Sequence, residues 1–336
     1  MSGPNFVPST VLVYVGLDFI GDALMKMPFV IALRQAFPGA RITWLAGKGR
    51  TVFKRELAPL AEGLIDEVIE DAGIGSHWSE IRARPLGGRR FDLVVDTQRR
   101  FLTTLLLRRI RARRFVSGTA NFLLSDVRPS AGYARPSEVV RQLLDLVDLA
   151  AGRRIEVPRF ELRDPVFAAA AARLLPDGAT HVGFVPGSSA GRAEKRWPLA
   201  RYVELAQRQA VRGRVPVFVL GPEEATWRED IAAAVPGARF PLQDAGGEGP
   251  KGPLLTMALA SRLAAAVSND SGGGHLVAAG GVPLVSLWGP SLMAKWPPQS
   301  PRLITIDARD FGSTSMDAIP VDRVDDALET RLAAPR

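Results

Sequence analysis

The segment SNDSGGGHLVAAGGVPLVSLWGP, residues 268–290, places an acid, three glycines and a histidine between two apolar runs. The run before it predicts a buried strand and HLVAAGG predicts a helix, so the glycines fall in a strand-to-helix turn. This edge of an α/β sheet is where ligands bind, and N–H groups at a helix start attract anions. We therefore expect an anion site here, although a tight turn without a ligand remains an alternative. Glycines 272–274 would let a phosphate come close to the backbone, and Ser271 and His275 can add hydrogen-bond donors.

A second candidate is the loop PGSSAGRAEKRWP, residues 186–198, which follows the predicted strand HVGFV. Its hydroxyl groups, Ser188 and Ser189, and its cations, Arg192, Lys195 and Arg196, suit a diphosphate. The alternative is a solvated loop that a buried tryptophan anchors. Both loops leave strands of the same predicted domain, so they can line one site.

A third candidate is GLDFIGDALMKMP, residues 16–28, after the strand VLVYV. Gly16 and Gly21 have P-loop spacing, but Asp22 stands where a P-loop needs lysine, which argues against a phosphate cradle. No GxGxxG is present, which argues against a dinucleotide-binding site. An aspartate at this edge suits a general base, and it equally suits a helix N-cap.

Two further segments carry charge. In GPEEATW, residues 221–227, Glu223 or Glu224 could accept hydrogen bonds from ribose hydroxyls, or could simply favour the start of a helix. The run RRFLTTLLLRRIRARR, residues 99–114, could hold an anionic acceptor or a phospholipid surface, or be a solvated helix face. Its arginines of interest are Arg99, Arg100, Arg108 and Arg109.

Length and composition narrow the class of protein. The 336 residues fit two domains, and 46% apolar residues suffice to build their cores. The net charge of +8 favours an acidic partner, but the few aromatic residues argue against nucleic acid. With no cysteine and three isolated histidines, we expect no disulfide, thiol chemistry or metal site. The chain shows no signal peptide and no apolar run long enough to span a bilayer, so we expect a cytoplasmic protein.

The order of patterns predicts two similar α/β halves, each with a parallel sheet. Strand-like runs alternate with helical patterns up to a joint near residues 152–170, and the alternation then resumes. We place the domains at 1–165 and 166–336. The predicted strands lie within residues 10–16, 38–47, 64–70, 91–98, 181–187, 215–221, 254–269 and 282–289.

Several of these motifs together resemble glycosyltransferase family 9, the lipopolysaccharide heptosyltransferases. The resemblance starts at GDALMKMPFVIALRQAFPGARITWLAG and FDLVVDTQRR and continues through VPGSSAGRAEKRWP, VFVLGPEE and VSNDSGGGHLVAAGGVPLVSLWGP, in the family's order. It implies a GT-B fold, in which two Rossmann-like domains face each other across a cleft. The N-terminal domain would bind the acceptor and the C-terminal domain the nucleotide sugar.

The resemblance also implies a reaction. The family transfers a sugar from a nucleotide diphosphate, typically ADP-heptose, to an inner-core lipopolysaccharide acceptor, with inversion and without a metal or other cofactor. By matching position, Asp22 would be the general base. The donor diphosphate would meet Ser188, Ser189, Lys195, Ser271, Gly272 and His275, and its nucleotide and sugar would meet Glu223, Glu224, Asp270 and Gly273. An anionic glycolipid acceptor and peripheral contact with the inner membrane follow as expected partners.

This chain departs from the family in places. It has Ser271 where threonine is usual, glycines at 273 and 274 where bulkier residues are common, and GLDFI where a serine-rich loop is common. Two alternatives stay open. The chain could be a transferase that uses a different nucleotide sugar, or a non-catalytic relative that binds a nucleotide sugar or an anionic glycan.

Overall fold

The computed structural model describes residues 6–75, 80, 85–158, 160–162, 164–188, 191–247 and 249–333. The chain divides into two compact units, Met1–Phe160 and Glu161–Arg336, whereas the sequence placed the division at residue 165. Each unit contains one five-stranded sheet, and every strand pair is parallel.

The sheet of the N-terminal unit has the strand order β3-β2-β1-β4-β5. Its central strand, TVLVYV, is mostly apolar and is buried over its last five residues, as expected for a strand covered by helices on both faces. The strands are β1 (Thr10–Val15), β2 (Arg41–Ala46), β3 (Glu67–Ile69), β4 (Arg90–Asp96) and β5 (Arg111–Ser117). The helices are α1 (Ile20–Ala36), α2 (Ala58–Ala61), α3 (Phe101–Leu107) and α4 (Val139–Ala151).

The sheet of the C-terminal unit has the order β10-β9-β8-β6-β7. Its strands are β6 (His181–Val185), β7 (Val215–Phe218), β8 (Ala265–Asn269), β9 (Leu284–Trp288) and β10 (Leu303–Asp307). Its helices are α5 (Pro165–Leu174), α6 (Leu199–Val211), α7 (Arg228–Ala234), α8 (Pro241–Asp244), α9 (Gly252–Ala260), α10 (Gly272–Ala279) and α11 (Val321–Ala333). One apolar core lies on each face of this sheet.

The structure confirms most of the strand and helix predictions and differs from them in several places. The basic run at 99–114 is not one helix, because residues 111–117 form the edge strand β5. The alternation of exposed arginines with half-buried and buried residues there has the period of a strand. The sequence reading also missed α5, whose run of alanines carries little apolar contrast, and the edge strand β10.

Helix α1 continues through Pro28. None of the helices in the described part of the chain is long and apolar enough to cross a membrane.

Candidate active site

In the C-terminal unit the carboxyl ends of β6 and β8 lie side by side where the order of connections reverses. From β6 the chain goes to β7 on one side, and it then returns to form β8 on the other side of β6. Such a switch point opens a crevice between the loops that leave the two strands. The loops here are those that begin at residues 186 and 270, the two that the sequence singled out.

An ion pair joins these two loops. The ammonium Nζ of Lys195 donates to Oδ2 of Asp270 over 2.6 Å, with side chains 24% and 10% exposed. A partly buried lysine at a switch point can offer its remaining two N–H bonds to an anion. The structure therefore brings together two residues that lie 75 positions apart and that the sequence assigned to one site.

Asn269, which the sequence reading did not single out, holds the first of these loops in place. Its Nδ2 donates to the carbonyl oxygen of Pro186 over 2.7 Å, and its Oδ1 accepts from the N–H of Trp197 and the hydroxyl of Tyr202, each at 3.0 Å. Trp197 is buried and anchors the loop, as the alternative reading expected. The sequence does contain a signal for this role. An asparagine at the end of a buried strand needs hydrogen-bond partners for its amide group, because water does not reach it there.

Glu224 is buried between the loops that follow β6 and β7. Its Oε1 accepts from Arg196 over 3.3 Å, and the same guanidinium donates to the hydroxyl of Ser188 over 2.9 Å. A Cβ atom on Gly187 or Gly221 would lie 2.8 Å from the Glu224 carboxylate, so this acid needs glycine on both sides. Glu223 is exposed and 3.9 Å from Arg196, so Glu224 is the member of the pair that faces the loops.

The three glycines at the start of α10 have different surroundings. A Cβ atom on Gly273 would lie 2.8 Å from Val185, and one on Gly274 would lie 2.7 Å from Ser268 Oγ. Those two glycines let the helix pack closely on the sheet. Gly272 has nothing within 4 Å of that position, so a side chain there would meet open space. Ser271 is the N-cap and accepts from the N–H of Gly274 over 3.2 Å.

His275 lies in the first turn of α10 and is buried. Burial lowers its pKa to about 4; nearby Asp270 opposes this shift and Lys195 adds to it. The imidazole is therefore neutral at neutral pH and can donate one hydrogen bond and accept another. Its location beside the Lys195–Asp270 pair agrees with the grouping expected from the sequence.

In the N-terminal unit, Asp22 lies in the first turn of α1 and is half-buried. It is not the N-cap, which is Phe19, so the alternative read from the sequence is wrong in that detail. Burial raises the pKa of Asp22 and Asp18 adds to the rise, while Lys26 and the N–H of Phe19 lower it. A carboxylate with a raised pKa is a stronger base, as general-base chemistry needs.

Two buried acids near the carboxyl edge of this sheet went unnoticed in the sequence. Asp18 follows β1 and accepts from Lys26, Trp44 and Thr51. Asp96 ends β4, and burial raises its pKa to about 6. Asp96 accepts from Thr104 over 2.7 Å and from Ser117 over 2.9 Å, which ties β4 to β5 and α3.

The basic residues between 99 and 114 separate into different roles. Arg108 pairs with Asp126 over 2.7 Å and lies over the ring of Phe115, and so holds β5 to the loop after it. Arg99 is exposed and donates to Gln142 over 3.2 Å. Arg100 and Arg109 are also exposed.

Ser189, which the sequence assigned to the diphosphate, lies outside the described residues, as does His77. Ser188 lies in the described part of the loop, and its hydroxyl donates to the carbonyl oxygen of Arg192 over 3.0 Å. Among the residues that the structure describes, no group of three or more acidic or histidine side chains is arranged to hold a metal ion.

The comparison with protein families decides the class of this chain. The model of glycosyltransferase family 9 (heptosyltransferase) matches residues 82–316, a segment that contains Lys195, Glu224 and Asp270. The chain belongs to glycosyltransferase family 9. Asp22 lies before the matched segment.

Individual members of the family resemble this chain to different extents. Lipopolysaccharide heptosyltransferase 2 of Escherichia coli (strain K12) is 35% identical over 120 residues, 35% of this chain and 34% of the relative. The matched region thus spans about a third of the curated relative's length.

Two solved structures share the fold over nearly the whole chain. One is a family 9 glycosyl transferase from Veillonella parvula, with a TM-score of 0.68, 20% identity and 98% of both chains covered. The other is described as the E. coli ADP-heptose LPS heptosyltransferase II, with a TM-score of 0.66 and 21% identity, covering 96% of this chain and 98% of that one. The expected α/β, GT-B-type fold of two Rossmann-like domains is confirmed.

Proposed function

We propose that this protein is an inverting glycosyltransferase. It transfers a sugar from a nucleotide-sugar donor of the ADP-heptose class to a lipopolysaccharide-core or related glycan acceptor. One observation carries the proposal: the Lys195–Asp270 pair lies at the switch point of the C-terminal sheet, beside the buried Glu224. Membership of family 9 supports the reaction class, and a structural neighbour is described as an ADP-heptose heptosyltransferase.

The donor binds to the C-terminal unit in this proposal. The ammonium of Lys195 and the N–H of Gly272 receive the diphosphate, with Ser188, Ser189, Ser271 and neutral His275 as further hydrogen-bond partners. Glu224, with Glu223 at its exposed side, accepts from the ribose hydroxyls. Asp270 holds Lys195 at the sugar end, and Gly273 lets the start of α10, which meets the donor, pack closely on Val185.

The chemical step uses Asp22 as the general base. Its carboxylate takes the proton from an acceptor hydroxyl, whose oxygen then forms a bond to the anomeric carbon of the donor. The bond from that carbon to the diphosphate oxygen breaks with inversion, and the nucleoside diphosphate leaves with the electron pair. The raised pKa of Asp22 supports this role, because it makes the carboxylate a better proton acceptor.

We propose that no metal or other cofactor takes part, because Lys195 can balance the charge that develops on the leaving diphosphate. The acceptor is an anionic glycolipid. Positive charge for this acceptor or for the inner membrane surface comes from four exposed arginines, Arg99, Arg100, Arg108 and Arg109. The net charge of +8 supports acidic partners of this kind.

Calorimetric titration with ADP, UDP and GDP, each with EDTA present, tests the donor assignment. We expect binding of ADP that EDTA does not weaken and that is tighter than binding of UDP or GDP. A preference for UDP or GDP would keep the transferase and replace the donor. Absence of binding by all three would contradict the proposal and favour a relative that binds only glycans.

A further inference from the structure

The buried ion pair between Asp18 and Lys26 lies next to the proposed base. Asp18 follows β1, and its side chain is fully buried, while that of Lys26 on α1 is 11% exposed. Burying either charge alone would cost free energy, because the charged group loses its hydration. The opposite charge of the partner offsets part of this cost. Both act on Asp22: the negative charge of Asp18 raises its pKa, and the positive charge of Lys26 lowers it.

Asp18 is held by more than the lysine. Its Oδ1 accepts from Lys26, while its Oδ2 accepts from the indole N–H of Trp44 over 2.9 Å and from the hydroxyl of Thr51 over 3.2 Å. The Trp44 ring is itself fixed, because Phe53 packs edge-on against it at 5.3 Å between ring centroids. The carboxylate therefore has a single geometry, with one oxygen reserved for the ammonium.

Lys26 has a second carboxylate within reach along the helix. Asp22 and Lys26 are four residues apart in α1, the spacing at which an acid and a lysine normally form an ion pair. The ion pairs among the described residues join Lys26 to Asp18 and include none between Lys26 and Asp22. The ammonium is therefore paired with Asp18, although its charge still lowers the pKa of Asp22.

Other charges near α1 are paired elsewhere. On α4, which packs against α1, Arg141 pairs with Asp145 and Asp148. On the short helix after β2, Lys54 pairs with Glu70. Lys26 and Asp18 are thus the charged groups in the described structure that act on Asp22.

We propose that Asp18 is a positioning residue, which keeps the Lys26 ammonium out of an ion pair with Asp22 and so leaves the Asp22 carboxylate free to take a proton. The inference rests on the proposed function for its consequence in catalysis, but the pairing itself is independent of it. An Asp22 neutralised by Lys26 would be a weaker base, since an adjacent opposite charge favours the ionised form.

The test is a carboxyl-carbon NMR titration of the full chain labelled with ¹³C at the aspartate carboxyl, in which Asp22 is identified by its loss in Asp22→Asn. In Asp18→Asn the freed ammonium turns to Asp22, which then titrates at a lower pH than in the wild type. In Lys26→Met the favourable charge is gone, and Asp22 titrates at a higher pH. The proposal requires this rise to be larger in the Asp18→Asn background than in the wild type, because only there does the ammonium reach Asp22. Asp66→Asn is the matched control, because it removes the carboxylate partner of Arg34 on the same helix, and it leaves Asp22 unchanged.

An Asp22 titration in Asp18→Asn that is unchanged or moved to higher pH would overturn the proposal. If Asp18→Asn fails to fold by circular dichroism, the same comparison is made in Asp18→Ser, and an effect of Lys26→Met that is no larger there than in the wild type overturns the proposal.

The pH profile of kcat/KM separates this inference from the proposed function. At about pH 5, Asp18→Asn should keep roughly three- to tenfold more of its own maximal kcat/KM than the wild type keeps. If the NMR titration of Asp22 moves in Asp18→Asn but the acid limb of the kcat/KM profile does not, the effect of Asp18 on Asp22 is supported and Asp22 is not the base.

Discussion

At the scale of single residues, the proposed binding of the donor diphosphate depends on Lys195. Its ammonium already donates to Asp270, and a primary ammonium has three N–H bonds, so a diphosphate can be added without breaking the pair. Asp270 would then fix the direction of the cation as well as reduce the cost of burying it. The same logic gives Arg196 a structural role, since it spans Ser188 and Glu224.

Replacement of Lys195 tests this role. Lys195→Ala should weaken ADP binding by about 10- to 100-fold, because a charge-assisted hydrogen bond of roughly 1.5–3 kcal/mol is lost. Lys54→Ala is the matched control, since Lys54 is also in the last turn of a short 3₁₀ helix and pairs with an acid. Calorimetry that gave equal ADP affinities for Lys195→Ala and the control would rule out contact between Lys195 and the diphosphate.

The buried imidazole of His275 makes stability depend on pH. Its pKa is about 4 in the folded chain and about 6.5 when unfolded, so the unfolded state binds more protons between those values. The free energy of unfolding therefore falls as the pH drops from about 6.5 to 4, by up to roughly 3 kcal/mol from this group. His275→Asn should lack this contribution. The wild-type free energy of unfolding minus that of the variant, measured by denaturant titration at several pH values, should therefore fall over this pH range. Parallel curves for the two proteins would show that the imidazole is not shielded as described.

At the scale of elements, the start of α10 shows why glycines follow one another. Gly274→Ala would place a Cβ atom 2.8 Å from the backbone oxygen of Asn269, whereas Gly272→Ala meets nothing within 4 Å. We expect Gly274→Ala to lower the free energy of unfolding by about 1–3 kcal/mol, as for other overpacked sites. Gly272→Ala, on the same helix, should be neutral or slightly stabilising. Equal effects of the two substitutions on thermal unfolding would contradict this packing of α10.

Much of the element order could be predicted because buried parallel strands are nearly continuous apolar runs, as in TVLVYV. The edge strands could not, because β5 carries arginines on its exposed face and β10 is only partly buried. The site loops were found because glycines and charges follow predicted strands. Asn269 and Asp18 were missed because their importance lies in partners distant in sequence, such as Trp197 and Trp44.

At the scale of the whole molecule, two units of about equal size follow from a length that exceeds one ordinary core. The apolar clusters of the C-terminal unit lie on both faces of its sheet, and the N-terminal unit has its own cluster around Tyr14 and Phe115. A fold of this kind hosts many reactions, so the function rests on the site residues and not on the architecture. The charge of +8 adds only a preference for acidic partners.

The most direct measurement is the acceptor-dependent release of ADP from ADP-heptose, with EDTA present, by the wild type and by Asp22→Asn. We expect turnover by the wild type and a kcat lower by about 10²–10⁴-fold in Asp22→Asn, because the general base is lost. The affinity for ADP should be unchanged. Asp322→Asn, the same change in the first turn of α11, should keep the wild-type rate. No ADP release by the wild type, or equal rates in the wild type and Asp22→Asn, would contradict the account.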